Sequence, residues 1–320
     1  MTRRVLIFGS SGFIGSHCVR RLHAAGKNII AVDLAPPRER IDGVDYRVGD
    51  VRDLSQLDEM DGVATIYNFA AVHTTPGHPD HEYYDTNIAG AIEIIRLAER
   101  LGVGEIVFTS SISVYGPGED TKSESSDLKP VSAYGRSKHL AEQIHRVWLN
   151  ADAYRRHLII VRPAVVFGPG ERGNFTRMAN LLRKGLFVFP GRRDAIKACI
   201  YVDDLLDSIE FARSLNQHFI LFNGSYGQRY TLGEIVETFR RTYFPSAALI
   251  DAPLSAVMLG AKVLGALDMF KIGIHPDRVL KLVRSTDVVP DWLSAQGRTF
   301  PFALERALER WAAESSQRFD

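Results

Sequence analysis

The chain of 320 residues has few cysteines, no excess of either charge and no long uninterrupted apolar run. Its two cysteines, Cys18 and Cys199, are far apart and lack the paired spacing of zinc ligands, so we expect neither a metal site nor a disulfide framework. Because 39 basic side chains are balanced by 38 acidic ones, the protein has no net field that would gather nucleic acid. The length predicts one large α/β domain or two lobes.

Neither secretion nor membrane insertion is indicated. The most apolar stretch, residues 253–274, is interrupted by Lys262, Asp268 and Lys271, and it predicts amphipathic helices rather than an integral membrane segment. Such helices suit core packing or a lid over a substrate, and association with a membrane surface is the alternative. The N-terminus leads almost directly into a predicted strand with no apolar signal segment, so the expected location is a reducing cytoplasm.

A glycine-rich turn stands between a predicted strand and a predicted helix near the N-terminus. Residues 5–8 form an apolar run, and the apolar side chains of residues 16–25 have helical spacing. Glycines let the backbone turn sharply and approach a pyrophosphate, whose charge is favoured at a helix N-terminus. Glycine-rich turns are common between secondary-structure elements of many proteins, but a strand, a glycine turn and a helix in succession favour a dinucleotide site. Its predicted cofactor contacts are Gly9, Ser11, Gly12, Phe13, Ile14 and Gly15.

A carboxylate closes the next predicted strand, residues 28–33. Asp33 lies 18 residues after Gly15, where an acidic side chain can accept hydrogen bonds from an adenosine ribose and would repel a 2′-phosphate. This position favours NAD over NADP, although Arg38 and Arg40 follow closely. The structural alternative for Asp33 is a turn or helix-capping residue.

Small residues follow the predicted strand 65–69. Phe69, Ala70 and Ala71 stand at its carboxyl end, the edge at which open parallel sheets bind ligands, so a cofactor can lie against this backbone. The loop that follows carries three histidines, but their spacing is irregular and no carboxylate-rich helix accompanies them. We interpret them as loop residues rather than metal ligands, with His73 as a candidate for substrate contact.

The chemistry is predicted to lie in two segments that follow the fifth strand, residues 105–109. The first is rich in hydroxyls and spans residues 110–116; the second contains Tyr134 and Lys138 at a helical separation of four. A free tyrosine has a pKa near 10, and a neighbouring ammonium and a nicotinamide cation are both expected to lower it. Tyr134 could then take a proton from an alcohol while hydride leaves for NAD⁺. A Tyr-x-x-x-Lys pair also occurs by chance in many helices, but its place after a cofactor loop strengthens it.

Taken together, these motifs resemble the extended short-chain dehydrogenases/reductases, and within them the nucleotide-sugar epimerases and dehydratases. The resemblance also rests on 162–163, 168–170, 201–205, 222–225 and 231–234, and it spans nearly the whole chain. It implies that Ser111 is the catalytic hydroxyl residue, Tyr134 the base and Lys138 its partner, with NAD as cofactor. Further cofactor contacts implied in the same way are Asp50, Val51, Pro163 and Val165.

The same resemblance implies an α/β fold with a doubly wound parallel Rossmann sheet and a smaller C-terminal α/β lobe. The cofactor domain is expected over 1–168 plus 196–224, and the lobe that binds a nucleotide-diphosphate sugar over 169–195 plus 225–320. A homodimer built from helices 84–101 and 134–150 is also implied. The expected substrate contacts are His73, Ser111, Ser113, Asn174, Lys197 and Arg278, where Lys197 replaces the arginine usual in the family.

Several reactions use this set of residues. A 4-epimerase oxidises the sugar C4 hydroxyl to a transient ketone and returns hydride to the other face, and this is the function we expect. Related 4,6-dehydratases carry Asp-Glu directly after the catalytic hydroxyl, where this chain has Ile112 and Ser113. A 4-keto-sugar reductase usually takes hydride from NADPH, which Asp33 disfavours. A hydroxysteroid-type dehydrogenase and a non-catalytic nucleotide-binding protein are the remaining alternatives.

Overall fold

A computed structural model describes residues 3–55, 57, 60–74, 77–258 and 282–320. Its centre is a seven-stranded sheet in which every neighbouring pair of strands is parallel. In chain order the strands are β1 (Arg4–Phe8), β2 (Asn28–Asp33), β3 (Asp45–Val48), β4 (Val63–Asn68), β5 (Glu105–Thr109), β6 (His157–Pro163) and, after three strands outside this sheet, β10 (Phe219–Gly224).

The spatial order of these strands is β10-β6-β5-β4-β1-β2-β3. The order reverses between β1 and β4, and the carboxyl ends of strands at such a reversal leave a crevice in which doubly wound sheets bind ligands. Strands β1, β2, β5 and β6 are almost continuously apolar because helices cover both faces of the sheet. The predicted doubly wound Rossmann fold is thus confirmed.

Two layers of helices bury the two faces of the sheet. These helices are α1 (Phe13–Ala24), α2 (Asp80–Leu101), α3 (Ala133–Ala151) and α5 (Val202–Ser214), whereas α4 (Asn174–Arg183) and α6 (Leu232–Tyr243) pack on each other. One core cluster joins α1 and α5 to the sheet, and the other joins α2 and α3 to its opposite face. Thr231 and Glu234 have the spacing of a capping box, and they form one at the start of α6.

The remaining strands form two separate pairs outside the main sheet. Strand β7 (Val165–Phe167) pairs with β9 (Cys199–Tyr201), and β8 (Leu186–Pro190) pairs with β11 (Ala248–Ala252). The apolar run 196–202 predicts a strand that returns to the main sheet, and this prediction is wrong. The edge of β6 is instead filled by β10, which matches it over six residues and leaves no place for β9.

The last described residues hold two further helices, Asp291–Ala295 and Ala303–Glu314. Most of the apolar stretch 253–274 and the predicted substrate residue Arg278 lie outside the described residues. Among the helices that are described, none is long and apolar enough to cross a bilayer. The division into a cofactor domain and a substrate lobe at the boundaries given above stays a prediction.

Candidate active site

The glycine turn lies at the carboxyl edge of the sheet between β1 and α1. Gly9 has a φ of +73°, and a Cβ there would lie 2.7 Å from the backbone nitrogen of Ala70. A Cβ on Gly15 would lie 2.0 Å from the carbonyl oxygen of Gly9. Both positions therefore require glycine because backbone packs directly against backbone. The structure brings this turn together with Phe69 and Ala70 at the end of β4, as predicted.

Asp33 reaches the same turn from the end of β2. Its carboxylate accepts hydrogen bonds from the backbone N–H of Ser11 at 2.9 Å and of Ala35 at 3.2 Å. It therefore organises the local turn, as in the structural alternative, and it also stands beside the glycine turn, as a ribose ligand would. The Gly49 N–H donates to the carbonyl of Asp33 at 3.0 Å, which brings Asp50 and Val51 to this edge. The Asp50 carboxylate is held by the Arg52 guanidinium.

Ser111, Tyr134 and Lys138 are brought together at the carboxyl end of β5. Ser111 begins a 3-10 turn, Ile112–Tyr115, and its hydroxyl donates to the hydroxyl of Ser113 at 3.1 Å. Helix α3 begins against this turn, since a Cβ on Gly135 would lie 2.5 Å from the carbonyl oxygen of Ser113. The Ser132 side chain caps the helix by accepting from the Gly135 N–H at 3.0 Å. Tyr134 in the first turn is thereby placed in hydrogen-bonding contact with Ser111.

The ionisation of Tyr134 differs from the sequence expectation. Burial raises the pKa of its phenol, and the nearby Tyr83 adds to that effect, while the hydrogen bond with Ser111 opposes it. The expected lowering is therefore wrong for the protein chain itself. Lys138 on the same helix face is 2% exposed, and burial lowers the pKa of its ammonium to about 7.

Lys138 lies in an aromatic and polar environment under the sheet edge. Its ammonium is 4.7 Å from the centre of the Phe108 ring, and the His145 ring stacks on Phe108 with centroids 4.2 Å apart. His145 is fully buried, and burial lowers the pKa of its imidazole to about 4, so it is neutral at physiological pH. Its Nδ1 forms a hydrogen bond with the Ala141 carbonyl at 2.8 Å. We therefore interpret His145 as a residue that packs the core rather than one that transfers protons.

A buried amide joins the loop after β4 to the catalytic helix. Asn87 on α2 accepts from the Val72 N–H at 3.0 Å and donates to the Val72 carbonyl at 3.1 Å. The same amide donates to the Ser137 hydroxyl at 2.9 Å. Asn87 thus has a structural role, because its amide fixes the backbone beside His73. Desolvation lowers the pKa of the His73 imidazole, against a backbone hydrogen bond at Ala71, and the Lys138 charge lowers it further.

Two predicted substrate residues on the C-terminal side, Asn174 and Lys197, lie in the described part of the chain. Asn174 is exposed at the first position of α4. The backbone N–H of Thr176 there is already bonded by the Glu171 carboxylate at 3.0 Å. The Lys197 ammonium donates to the Arg284 carbonyl, and burial lowers its pKa to about 8.

Two arginines near Lys197 in the sequence, Arg192 and Arg193, both form ion pairs. A basic turn of this kind predicts either a solvated surface or a phosphate clamp. Arg192 bonds Asp194 at 2.7 Å and Glu119 at 3.1 Å, and Arg193 bonds Asp251 at 2.6 Å. These partners are distant in sequence except for Asp194, and the basic turn is an ion-paired surface in this structure.

The residues at the sheet edge fit a dinucleotide. Gly12 precedes α1 without a side-chain cap, and a Cβ there would meet only the Gly9 carbonyl, at 3.2 Å. The space above it and the first N–H groups of α1 are thus open to an anion. Among the described residues, the Asn68 Oδ1 and the Ser110 Oγ are buried without a hydrogen-bond partner at this edge. Orphaned buried acceptors and donors of this kind are expected where a polar cofactor binds.

Sequence reasoning missed a buried ion pair behind the catalytic helix. Glu142 and Arg162 are both almost fully buried and bond each other through two hydrogen bonds, at 2.9 and 2.7 Å. Two features of the sequence could have indicated it. Glu142 lies four residues after Lys138 on the apolar side of the helix, and Arg162 interrupts the apolar strand 158–161.

Comparison with known proteins agrees with this fold and site. Residues 5–219 match the model of the NAD dependent epimerase/dehydratase family. N-acetyl-alpha-D-glucosaminyl-diphospho-ditrans,octacis-undecaprenol 4-epimerase of Escherichia coli O157:H7 is 28% identical over 97% of this chain and 94% of its own. UDP-glucose 4-epimerase of Vibrio cholerae is 27% identical over 70% of this chain and 72% of its own.

Solved structures share the whole architecture. The structure of MoeE5 in complex with UDP-glucose and NAD is 25% identical, covers 98% of this chain and 99% of that one, and has a TM-score of 0.75. The UDP-Glc/GlcNAc 4-epimerase from Campylobacter jejuni, at 20% identity, covers 99% and 98% with a TM-score of 0.75 and supports the fold alone. The chain therefore belongs to the NAD-dependent epimerase/dehydratase family and is an NAD-dependent enzyme.

Proposed function

We propose that this protein is a 4-epimerase of a sugar carried on a diphosphate, with a UDP-hexose as the leading substrate class. The observation that carries the proposal is the meeting of Ser111, Tyr134 and Lys138 at the sheet edge beside the glycine turn. Named relatives that act as 4-epimerases support the same reaction type.

Each of the three side chains has a role that its environment supports. Ionised Tyr134 takes the proton of the sugar C4 hydroxyl as the C4–H bond breaks, which leaves a ketone at C4. Ser111 donates a hydrogen bond to the same oxygen and stabilises the charge that develops there. Bound NAD supplies the acceptor for the hydride and later its donor. The keto sugar then rotates so that its other face accepts the returning hydride, and Tyr134 returns the proton to the C4 oxygen. Because the hydride is both taken and given back, the cycle has no net redox change.

Two neighbouring reactions are less well supported by the residues of this chain. Elimination of water from the sugar needs a further acid and base, and the positions after Ser111 hold Ile112 and Ser113 in the 3-10 turn. A 4-keto-sugar reductase supplied with NADPH is disfavoured by Asp33, whose carboxylate stands at the glycine turn. The reductase is the alternative that the experiment described below must distinguish from the epimerase.

A polyprenyl diphosphate is the second candidate for the group that carries the sugar. The relative that spans 97% of this chain acts, by its name, on a sugar linked through diphosphate to undecaprenol. The apolar residues 253–274 have a composition suited to an isoprenoid or to a membrane surface. A polyprenyl-diphosphate sugar is therefore the second candidate substrate.

The test begins with the purified protein without added coenzyme. Nucleotide is released by denaturation and identified, and the enzyme is incubated with UDP-, GDP-, CDP- and dTDP-hexoses and with a polyprenyl-diphosphate hexosamine in detergent, while NMR follows the configuration at C4. Interconversion of C4 epimers without added NAD(P)H supports the epimerase, and the panel identifies the carrier. Turnover that requires NAD(P)H and a 4-keto sugar would replace it with the reductase. If none of these sugars is converted, the substrate is to be sought among other alcohols.

We also propose that the enzyme is a homodimer paired through α2 and α3. Helix α3 leaves Leu140 and Val147 exposed, at 44% and 66%, seven residues apart on one face. Sedimentation equilibrium should give twice the mass of the 35.7 kDa chain, and Val147→Glu should shift it towards the monomer. A monomeric wild type at micromolar concentration would refute the dimer.

A further inference from the structure

The catalytic helix carries a second buried charge one turn after Lys138. Glu142 is 0% exposed and Arg162 3% exposed, and both carboxylate oxygens of Glu142 accept hydrogen bonds from the Arg162 guanidinium. A buried carboxylate without such a partner would be neutralised or would unfold the site. The two hydrogen bonds therefore pair the Glu142 carboxylate with a buried cation inside the protein.

The position of Glu142 is fixed by a chain of hydrogen bonds that leaves the helix. Arg162 on β6 donates to the Tyr115 hydroxyl at 3.0 Å, and Tyr115 donates to the Asn223 amide oxygen at 2.7 Å. Asn223 on β10 donates in turn to the Val289 carbonyl at 2.9 Å. Because β6, β10 and the 3-10 turn all hold it, the carboxylate cannot swing away from the face of α3 that also carries Lys138.

Lys138 has no ion pair of its own in the part of the chain that the structure describes. Its ammonium is buried against the Phe108 ring, and Glu142 is one helical turn away on the same face. We propose that Glu142 is a positioning residue for the reaction: its fixed negative charge keeps the Lys138 ammonium charged beside Tyr134 during proton transfer. The inference deepens the proposed function, since it rests on Tyr134 as the base.

The surroundings of Lys138 contain few groups that could take over this role. Burial lowers the pKa of Lys138 and the Glu142 charge raises it, so the two effects oppose each other at this site. His145 is neutral and Tyr134 and Tyr115 have raised pKa values, so the charge opposite in sign comes from Glu142. The titratable or charged groups around Lys138 and Glu142, from α2, α3, β6, the 3-10 turn and the loop after β4, are Tyr83, Tyr134, His139, Glu142, His145, Arg146, Arg162, Tyr115 and His73.

The experiment compares pH profiles of kcat for the holoenzyme and for Glu142→Gln. Loss of the carboxylate should move the alkaline limb, where Lys138 loses its proton, to lower pH by about one unit, as expected for one charge at this spacing in a partly screened interior. The activity ratio of variant to wild type should therefore fall as the pH rises. Glu142→Asp, which keeps the charge, should restore the wild-type limb even if its maximal rate is lower.

Two controls separate this effect from damage to the fold. Glu142→Gln combined with Arg162→Gln leaves no unpaired buried cation, and we expect the displaced limb to persist because Lys138 still lacks its counter-charge. Glu105→Gln removes the carboxylate of a different partly buried ion pair, with Arg213 at 2.6 Å, at the opposite end of β5, and should leave the limb unmoved.

A spectroscopic readout does not depend on turnover. The NMR signal of Lys138 in protein made with isotope-labelled lysine, assigned by its loss in Lys138→Ala, should titrate at lower pH in Glu142→Gln than in the wild-type protein. A uniform loss of kcat at every pH, or a normal limb in the double variant, would overturn the role of Glu142. Full activity of Tyr134→Phe would instead overturn the proposed base, so the two failures are distinguishable.

Discussion

Replacement of Gly12 by alanine separates the fold of the glycine turn from its use. Gly12 has φ and ψ of −69° and 173°, a conformation that alanine adopts without strain. Its added Cβ would meet only the Gly9 carbonyl oxygen, at 3.2 Å, which a shift of a few tenths of an ångström relieves. The new methyl group would otherwise point into the space in front of the α1 N-terminus.

The expected magnitudes for stability and for cofactor binding differ. Lower entropy of the unfolded chain favours alanine by about 0.4–1 kcal/mol, and the poorer helix N-cap offsets a similar amount, so the ligand-free stability should change by less than about 1 kcal/mol. A methyl between the pyrophosphate and the first N–H groups of α1 should weaken about two charge-assisted hydrogen bonds. Together these amount to about 3 kcal/mol, or about a hundredfold in the Kd for NAD.

Two other glycines provide matched controls. Gly26→Ala places alanine at a φ of +70° with nothing within 4 Å, so it should lower stability by about 1 kcal/mol and leave NAD binding intact. Gly15→Ala puts a Cβ 2.0 Å from backbone and should impair both. Urea unfolding gives the stabilities, and calorimetric titration of protein freed of nucleotide gives the Kd. A Gly12→Ala protein that binds NAD as tightly as the wild type would refute this assignment of the turn.

Three further outcomes follow from the same structure. Tyr134→Phe should keep NAD binding and lose about 10²–10⁴-fold in kcat, and single-turnover kinetics with near-normal rates would remove it from the base role. Asp33→Ala should reduce the preference for NAD over NADP, whereas an unchanged ratio of the two Kd values would show that Asp33 only holds the Ser11 N–H. The pKa of His145 is about 4 in the fold against its usual 6.5, so the unfolded chain binds the proton first as the pH falls. Stability should therefore fall by up to about 3 kcal/mol from pH 6.5 to pH 4, and His145→Gln should flatten that slope in urea unfolding.

The parts of this protein that the sequence predicts well are local. The glycine turn, the pairing of Tyr134 with Lys138 on one helix face and the capping box of Thr231 each depend on residues a few positions apart. Burial of strands such as β1 and β6 follows from their unbroken apolar runs. These patterns sufficed for the Rossmann fold, whereas the catalytic roles of these residues stay predictions.

What the sequence does not reveal depends on partners far along the chain. Residues 199–201 and 219–224 are both apolar runs, and nothing local tells which one fills the edge of β6. Arg193 looks like a free phosphate ligand until Asp251 is found beside it. The pKa of Tyr134 depends on how deeply the packing of α3 buries the phenol, and a sequence carries no measure of that burial.

The late closure of the sheet has a consequence for biosynthesis. Strand β6 ends at Pro163, but its outer neighbour β10 is complete only at Gly224, so 61 further residues must leave the ribosome first. At ordinary translation rates this leaves the outer backbone edge of a largely apolar strand unpaired for roughly 3–12 s. An uncovered strand edge is a template for pairing with other chains. The nascent protein is thus most exposed to aggregation, and most in need of a chaperone, between the synthesis of these two strands.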